Sequence, residues 1–566
     1  MSASKAQLQV RLKAPGGPTA HVDHFAADNL PPRTAWPEID YSRLPELAAL
    51  PDRINCATEI LDRGAAEHGS NAAVLDDKMS WNYSQLLAKA NRIAHVLVDD
   101  LGVQPGNRVL LHSGNNPMYA ACWFAVMKVG AIAVASMPLL RARELLYMAD
   151  FAQIRVALCD AVLADELYQA AGDATHLSDI VLFHDQSSVG LEARMAEKPP
   201  TFENVDTAAD DVCIIAFTSG TTGQPKACMH FHRDVMAVCL TSSAQIIQAR
   251  PDDVFTGTPP LAFSYGLGGL LFFPLHAGAS TLLLDSYSPE SLIAAIKKHR
   301  VTVLYTAPTM YRTLMPLIEN LADDLADMDS LSSLRHCNSA GETLPKPTWN
   351  DWHAKTGLSI HDGIGATEML NTFISGRDGE IRPGATGLTI AGFEAAVLDE
   401  NGDPAAPGEV GRLAVRGPTG CRYMANPERQ ATYVQNGWNM TGDSYLRDED
   451  GYFWYQARTD DLIVSSGYNI SGPEIEAVLL EHAAVADCAV IASPDSRRGQ
   501  IVKAYVVLRE PSQARPDLVG ILQDHVKATI APYKYPRAIE FIDELPKTAT
   551  GKVQRFALRS RDAAQA

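Results

Sequence analysis

The chain has 566 residues, of which 46% are hydrophobic and 20% charged, and a formal net charge of −19 at pH 7. That composition excludes a disordered or fibrous protein. An acidic chain also lacks the basic face that a general nucleic-acid binder needs to attract phosphates. At roughly 150 residues per domain, the length allows three or four folding units.

The start of the chain, Met-Ser-Ala-Ser-Lys, lacks the apolar core of a signal peptide. The nine cysteines are an odd number. With no Cys-x-x-Cys pair and no zinc-type Cys/His spacing, they fit a reducing compartment. Two long apolar runs read as buried pieces rather than membrane spans. One carries Lys128 at its middle, and a central lysine costs about 2.5–3.5 kcal/mol on insertion. The other, 259–284, carries Pro274 and His276. A cytoplasmic protein without a membrane span or nucleic-acid partner is expected.

Residues 1–50 are rich in Pro, Ala and Asp and read as an arm. Leu86, Ala90, Ile93, Ala94, Leu97 and Leu101 recur at helical spacing, with Ser84 as N-cap. A strand at Val109–Leu111, a breaker at Gly114–Pro117, a helix to Lys128 and a strand at Ala131–Ala135 follow. This rhythm continues past residue 300 and predicts parallel α/β layers. From about 384 to 459 the character turns β-rich, with strands at Phe393–Asp399 and Gly411–Gly417 about an Asn401-Gly402 turn. Residues 460–566 form a smaller unit: helix Pro473–His482, strands Val485–Ala492 and Val502–Leu508, helix Asp517–Ala528, strand Arg537–Ile542. Within this tail, residues 527–561 hold eight basic and three acidic side chains, a patch suited to an anionic ligand.

The strongest local signal is Thr218-Ser219-Gly220-Thr221-Thr222-Gly223-Gln224-Pro225-Lys226, directly after the apolar strand Val212–Phe217. The glycines let backbone approach a ligand, and the hydroxyls and Lys226 suit phosphate oxygens. It is not a Walker A loop, because Pro225 precedes the lysine and Ala227 follows it.

This run resembles the phosphate loop of the adenylate-forming superfamily of acyl-CoA synthetases, adenylation domains and luciferases. Further motifs follow in that family's order from about residue 55 to 558. Ser339-Ala340-Gly341-Glu342 resembles the segment against adenine. Asp362-Gly363-Ile364-Gly365-Ala366-Thr367-Glu368 resembles the segment that meets adenine, α-phosphate and metal. Trp438-Asn439-Met440-Thr441-Gly442-Asp443 resembles the ribose motif, with Arg458 as its partner arginine. Pro546-Lys547-Thr548-Ala549-Thr550-Gly551-Lys552 resembles the last motif, whose lysine bridges the carboxylate and the α-phosphate.

The resemblance implies a fold: a large N-terminal domain (51–459) of two parallel-sheet α/β subdomains and a β-barrel-like subdomain, then a small mobile α+β domain (460–566). It also implies the chemistry. ATP would meet Thr218 to Gly223, Lys226, Gly341, Glu342, Asp362, Gly363, Thr367, Asp443 and Arg458. Glu368 would hold Mg²⁺, and Lys552, Glu368 and Thr367 would act in adenylation. Rotation about Asp460 would bring Gly467 and Tyr468 to coenzyme A, with Arg497 and Lys534 near its phosphates. Lysine acetylation at Lys552 by an acetyltransferase would remove the needed charge. A homodimer is left open.

Phe263 stands at the family's gate position, and Tyr265, Gly266, Ala307, Ala340, Gly341 and Gly365 are expected to line the acyl pocket. Aromatic walls over a Gly/Ala floor suit a flat ring. Gly-Ala-Thr-Glu-Met-Leu resembles the benzoate-CoA ligase branch, and Thr19–Asp23 with Asn29–Pro32 resembles 2-aminobenzoate-CoA ligases. Where benzoate-type enzymes continue His-Ile, this chain has Asn371-Thr372. A buried polar pair needs partners, so a small aromatic acid with a polar ring substituent is expected. Loading of a carrier protein, or ligation of another aromatic or a short- or medium-chain acid, stays open as an alternative.

Overall fold

The computed structural model describes residues 18–218, 225–322, 331–458, 463–465, 468–495, 499–530, 532–547 and 553–565. Among these, two large sheets form the body. One is six-stranded, in the order Asp179–Phe183, Val156–Asp160, Arg108–His112, Ile132–Ser136, Val212–Thr218, Lys226–Phe231. All its pairings are parallel except the last, which is antiparallel. The other is nine-stranded and has Val254–Gly257, Val303–Thr306, His336–Ala340 and Ile360–Gly365 at its centre, the last three in parallel succession.

The helix Pro117–Lys128 lies between these layers with every residue buried. It is apolar all round, as a fully enclosed helix must be. Lys128 itself is 0% exposed and is held by Asp62, its ammonium 2.5 Å from the carboxylate. The mid-run lysine is thus a core charge with a partner. Among the described residues no helix is long and apolar enough to cross a membrane.

The helix expected to be capped by Ser84 starts two residues earlier. It spans Tyr83–His95, capped by Asn82, whose side chain accepts from Gln85 N–H while Gln85 answers Asn82 N–H. The reciprocal box at 82/85 satisfies two end donors, and Ser84 falls inside the helix.

A five-stranded antiparallel sheet follows, built from Glu394–Leu398, Val410–Arg416, Val434–Gln435, Trp438–Arg447 and Phe453–Arg458. The smaller unit carries helices Gly472–Leu480 and Pro516–Thr529 on a three-stranded sheet of Val485–Asp495, Gly499–Leu508 and Ala538–Phe541. It has its own apolar core around Ile475, Val490, Val506 and Leu522. Residues 18–50 run along the body, with Ile39 bridged to Gly417 and Ala20 N–H bonded to Asp211.

Candidate active site

Ligands of open α/β sheets collect outside the carboxyl ends of the strands, and the motif residues sit there. Val212–Thr218 and Lys226–Phe231 pair antiparallel with Thr218 opposite Lys226. The loop residues Ser219, Gly220, Thr221, Thr222, Gly223 and Gln224 lie outside the described residues, but both ends of their loop are fixed. Tyr147 O–H donates to the Pro225 carbonyl at 3.2 Å. Burial lowers the Lys226 pKa; the charges of Arg429 and Arg458 push the same way, and Glu368 opposes them. Lys226 thus shares its field with two further cations as well as a carboxylate, and an anionic ligand would relieve the repulsion among the cations.

Ala340 and Gly363 are register partners on adjacent parallel strands, so the two following loops leave the sheet side by side. Gly341 has φ +89°, a left-handed turn that glycine adopts without a Cβ penalty. Thr309 O–H donates to Glu342 Oε2 at 2.8 Å, while Glu342 Oε1 and Asp362 Oδ1 are buried without a partner among the described residues. Burial pushes the Asp362 carboxyl well above its ordinary value. Two unsatisfied acceptors at one sheet end are what a donor-rich ligand such as an adenine amine would meet.

Thr367 and Glu368 form a short 3₁₀ turn. Glu368 Oε1 accepts from the Tyr423 hydroxyl. Burial raises its pKa and nearby Cys228 adds to this, with Tyr423 and Lys226 pulling the other way. A half-buried carboxylate with one oxygen engaged is a hard ligand, and Mg²⁺ ordinarily takes one or two such carboxylates plus phosphates. The residues therefore fit the ion that the motif implies.

Asp443 and Arg458 are register partners on neighbouring antiparallel strands. Arg458 Nη1 lies 3.0 Å from Asp443 Oδ1 and donates to the Thr441 carbonyl at 3.1 Å. Gly442 between them has φ +79°. The arginine orients the carboxylate at the sheet end, where a diol could meet it.

The expected acyl-pocket residues come from separate segments of the chain, and none of them lines the small cavity described below. Phe263 is half-buried and precedes the helical turn Ser264–Leu267. A Cβ on Gly266 would lie 2.2 Å from the Pro260 carbonyl, so only glycine lets this turn close. Ala307 is half-buried, Ala340 is 5% exposed and Gly365 faces solvent. A small apolar cavity lined by Trp123, Ile214, Ala216, Ser264, Leu267 and Leu370 adjoins the turn.

Asn371 differs from its expected role. Its Nδ2 donates to the Ser264 carbonyl at 3.0 Å, and its Oδ1 accepts from Thr372 N–H at 2.8 Å. The amide fills the space left by Gly268, whose Cβ would come within 2.3 Å of it. The partners that this buried polar residue needs are therefore supplied by backbone, and its presence does not by itself call for a polar substrate. Thr372 accepts from Ser242 O–H at its carbonyl, 2.9 Å away.

A residue that sequence reasoning missed is Asn338. It stands two positions before Ala340 on the same strand, so the two share a face. It is 6% exposed. The Tyr265 hydroxyl lies 2.8 Å from Asn338 Oδ1 and 3.3 Å from the Thr306 carbonyl. The signal was present as an asparagine inside an otherwise buried strand just ahead of Ser-Ala-Gly-Glu.

Lys552, Asp460, Gly467 and Arg497 lie outside the described residues, as does the side chain of Tyr468, whose backbone pairs with Ser465. The basic C-terminal patch is largely compensated. Lys534 is 2.6 Å and 2.7 Å from the two oxygens of Glu474. Lys527, Lys547, Arg555 and Arg561 pair with Asp524, Asp487, Glu476 and Glu540. An anion at Lys534 would have to compete with a carboxylate already in place.

Residues 61–423 match the family model of the AMP-binding enzyme, and residues 474–552 match that of the AMP-binding enzyme C-terminal domain. The benzoate–CoA ligase of Thauera aromatica is 34% identical over 525 residues, spanning 92% of this chain and 98% of that protein. Among solved structures, the anthranilate CoA ligase AuaEII in complex with anthranoyl-AMP is similar with TM-score 0.86 and 33% identity, covering 92% of this chain and 99% of that one. A benzoate CoA ligase from Burkholderia xenovorans LB400 gives TM-score 0.81 at 31% identity, covering 89% and 100%. The chain belongs to the AMP-binding enzyme family and is an AMP-forming acid–thiol ligase.

Proposed function

We propose that this ligase joins a benzoate-type aromatic acid, with 2-aminobenzoate as the favoured member, to coenzyme A. The observation that carries the choice is the Tyr265 hydroxyl between Asn338 Oδ1 and the Thr306 carbonyl. A hydroxyl has one proton. It donates to one of the two acceptors, and each oxygen carries a second lone pair that an N–H donor on the ligand can meet. An amino substituent on the ring supplies that donor. Similarity to a benzoate–CoA ligase and to an anthranilate CoA ligase supports the same class.

In this reading the carboxylate oxygen attacks the α-phosphorus of ATP and pyrophosphate leaves. The CoA sulfur then attacks the acyl carbon and AMP leaves. Free carboxylates resist nucleophiles, and ATP turns the oxide into a leaving group. Lys226 and the loop hydroxyls bind the phosphates, and Asp443, oriented by Arg458, receives the ribose. Lys552 brings the two anions together, which is alignment and charge stabilisation rather than covalent chemistry. Glu368 would hold Mg²⁺, which supplies further neutralisation of phosphate charge. The domain boundary is placed at 459/460, with Asp460 as hinge.

The test is Asn338→Val. A neutral hydrogen bond contributes about 0.5–1.5 kcal/mol net, so the preference for 2-aminobenzoate over benzoate should fall roughly 2- to 12-fold in kcat/KM. An unchanged ratio would remove Asn338 from substrate recognition.

A further inference from the structure

Three buried donors meet at the root of the hairpin whose tip carries the phosphate loop. Cys213 is the second residue of Val212–Thr218, and His232 opens the helix His232–Val238 that leaves the paired strand. Cys56 arrives just ahead of the helical turn Thr58–Asp62. All three are 0% exposed, and one ligand atom from each lies within 4.8 Å of the other two. They come from three separate elements, so no local Cys/His spacing announces them.

The donor set is two thiols and an imidazole without a carboxylate. Thiols are weak hydrogen-bonding groups, whereas as thiolates they are strong ligands for soft cations. His232 Nδ1 turns its lone pair toward Cys56, whose N–H and Sγ both lie 3.1 Å away. Met127 Sδ is 3.4 Å from Cys56 Sγ.

We propose that Cys56, Cys213 and His232 bind one thiophilic d¹⁰ cation, zinc(II) or copper(I), with Met127 beside the fourth position. Zn–S bonds of ~2.3 Å place tetrahedral sulfurs ~3.8 Å apart, so the cluster closes on an ion with side-chain movements of about 1 Å. Binding displaces the two thiol protons and leaves the imidazole neutral. Two thiolates balance zinc(II) to zero net charge, the least costly state in an apolar core. Copper(I) would leave one negative charge but makes better use of a thioether. The ion would tie the N-terminal segment to the base of the phosphate-loop hairpin. With all three donors enclosed, it enters as the chain folds.

The experiment grows the full chain, carrying a histidine-free affinity tag, in zinc- or copper-supplemented culture. Metal per chain is then measured by plasma mass spectrometry after desalting. The expected result is about one ion per chain in one arm, retained by the control Cys159→Ala and lost in Cys56→Ala and Cys213→Ala. Because alanines in a core can unfold a protein, a second measurement uses the wild type from cobalt-supplemented culture. Thiolate-to-cobalt charge-transfer absorption should appear with ligase activity intact. Wild-type protein from both arms with no more metal than Cys213→Ala would overturn the site. So would cobalt-grown protein without the absorption band, or full retention of metal by Cys56→Ala and Cys213→Ala.

Discussion

At position 371 the amide that replaces the imidazole of benzoate-type enzymes is bonded by backbone at both ends. Restoring the benzoate-type pair, Asn371→His with Thr372→Ile, therefore removes two structural hydrogen bonds and presses a larger ring against Gly268. Overpacking a core site costs typically 1–3 kcal/mol. The double variant should unfold at lower temperature with its ratio of 2-aminobenzoate to benzoate efficiency nearly unchanged. Thermal melts together with the two kcat/KM values check this. A large swing toward benzoate in a fully stable protein would return the specificity role to residues 371 and 372. The substitution itself was legible in the sequence, but the direction in which its amide points was not. That depends on a glycine about a hundred residues away, whose missing side chain makes the space.

Asp253 knits the roots of the central strands of the large sheet. Its carboxylate accepts from Arg250 N–H at 2.8 Å, from Thr302 O–H at 2.7 Å and from Arg335 Nε at 2.7 Å. Burial works to raise its pKa, but these donors, Arg335 foremost, bring it below the ordinary value. A depressed carboxylate contributes stability that is fully present above the unfolded-state pKa and disappears as pH falls through the folded-state one. Hydrogen bonds to charged groups contribute about 1.5–3 kcal/mol. Asp253→Asn should cost about that much at neutral pH, and the gap from wild type should narrow on acidification below pH ~3.9. Denaturant melts across that range give the comparison; a gap independent of pH would mean that the charge is not what stabilises the site. At this scale the sequence was readable wherever apolar periodicity was strong, as in Val109–Leu111 inside Arg108–His112. Ends were less so: the cap at Asn82 rather than Ser84 turns on which of two neighbouring polar residues finds Gln85 three positions on.

The whole molecule combines a large body with a smaller unit whose last motif ends in Lys552. The family resemblance assigns that lysine to the first half-reaction only. Lys552→Ala should abolish acyl-adenylate formation while largely sparing thioester formation from a supplied acyl-adenylate. Asp460→Pro should do the reverse, because proline fixes φ where a hinge must change it. Pyrophosphate exchange and thioester production, measured separately on each variant, give the split. Equal loss of both half-reactions in either variant would contradict the assignment. In the basic tail, charge counting left out the partners. Eight cations between 527 and 561 read as a phosphate patch, yet Lys534 and several neighbours face carboxylates drawn from distant parts of the unit. Net charge along a chain says nothing about which carboxylates the fold will bring opposite. The candidate nucleotide end stood out in the sequence for the opposite reason: glycines, hydroxyls and carboxylates at set spacings reflect local backbone demands.

Catalytic efficiency for CoA-thioester formation with 2-aminobenzoate, benzoate, phenylacetate and hexanoate, each measured with AMP release as readout, tests the proposed function most directly. The proposed reading, a ring between Phe263 and Tyr265 over small residues with an acceptor lone pair at Asn338 or Thr306 for an amino substituent, predicts 2-aminobenzoate first and benzoate roughly 2- to 12-fold behind it. Hexanoate should be poor. If benzoate leads, recognition of a polar substituent is wrong and the aryl reading stands; if hexanoate leads, the aryl reading itself is contradicted.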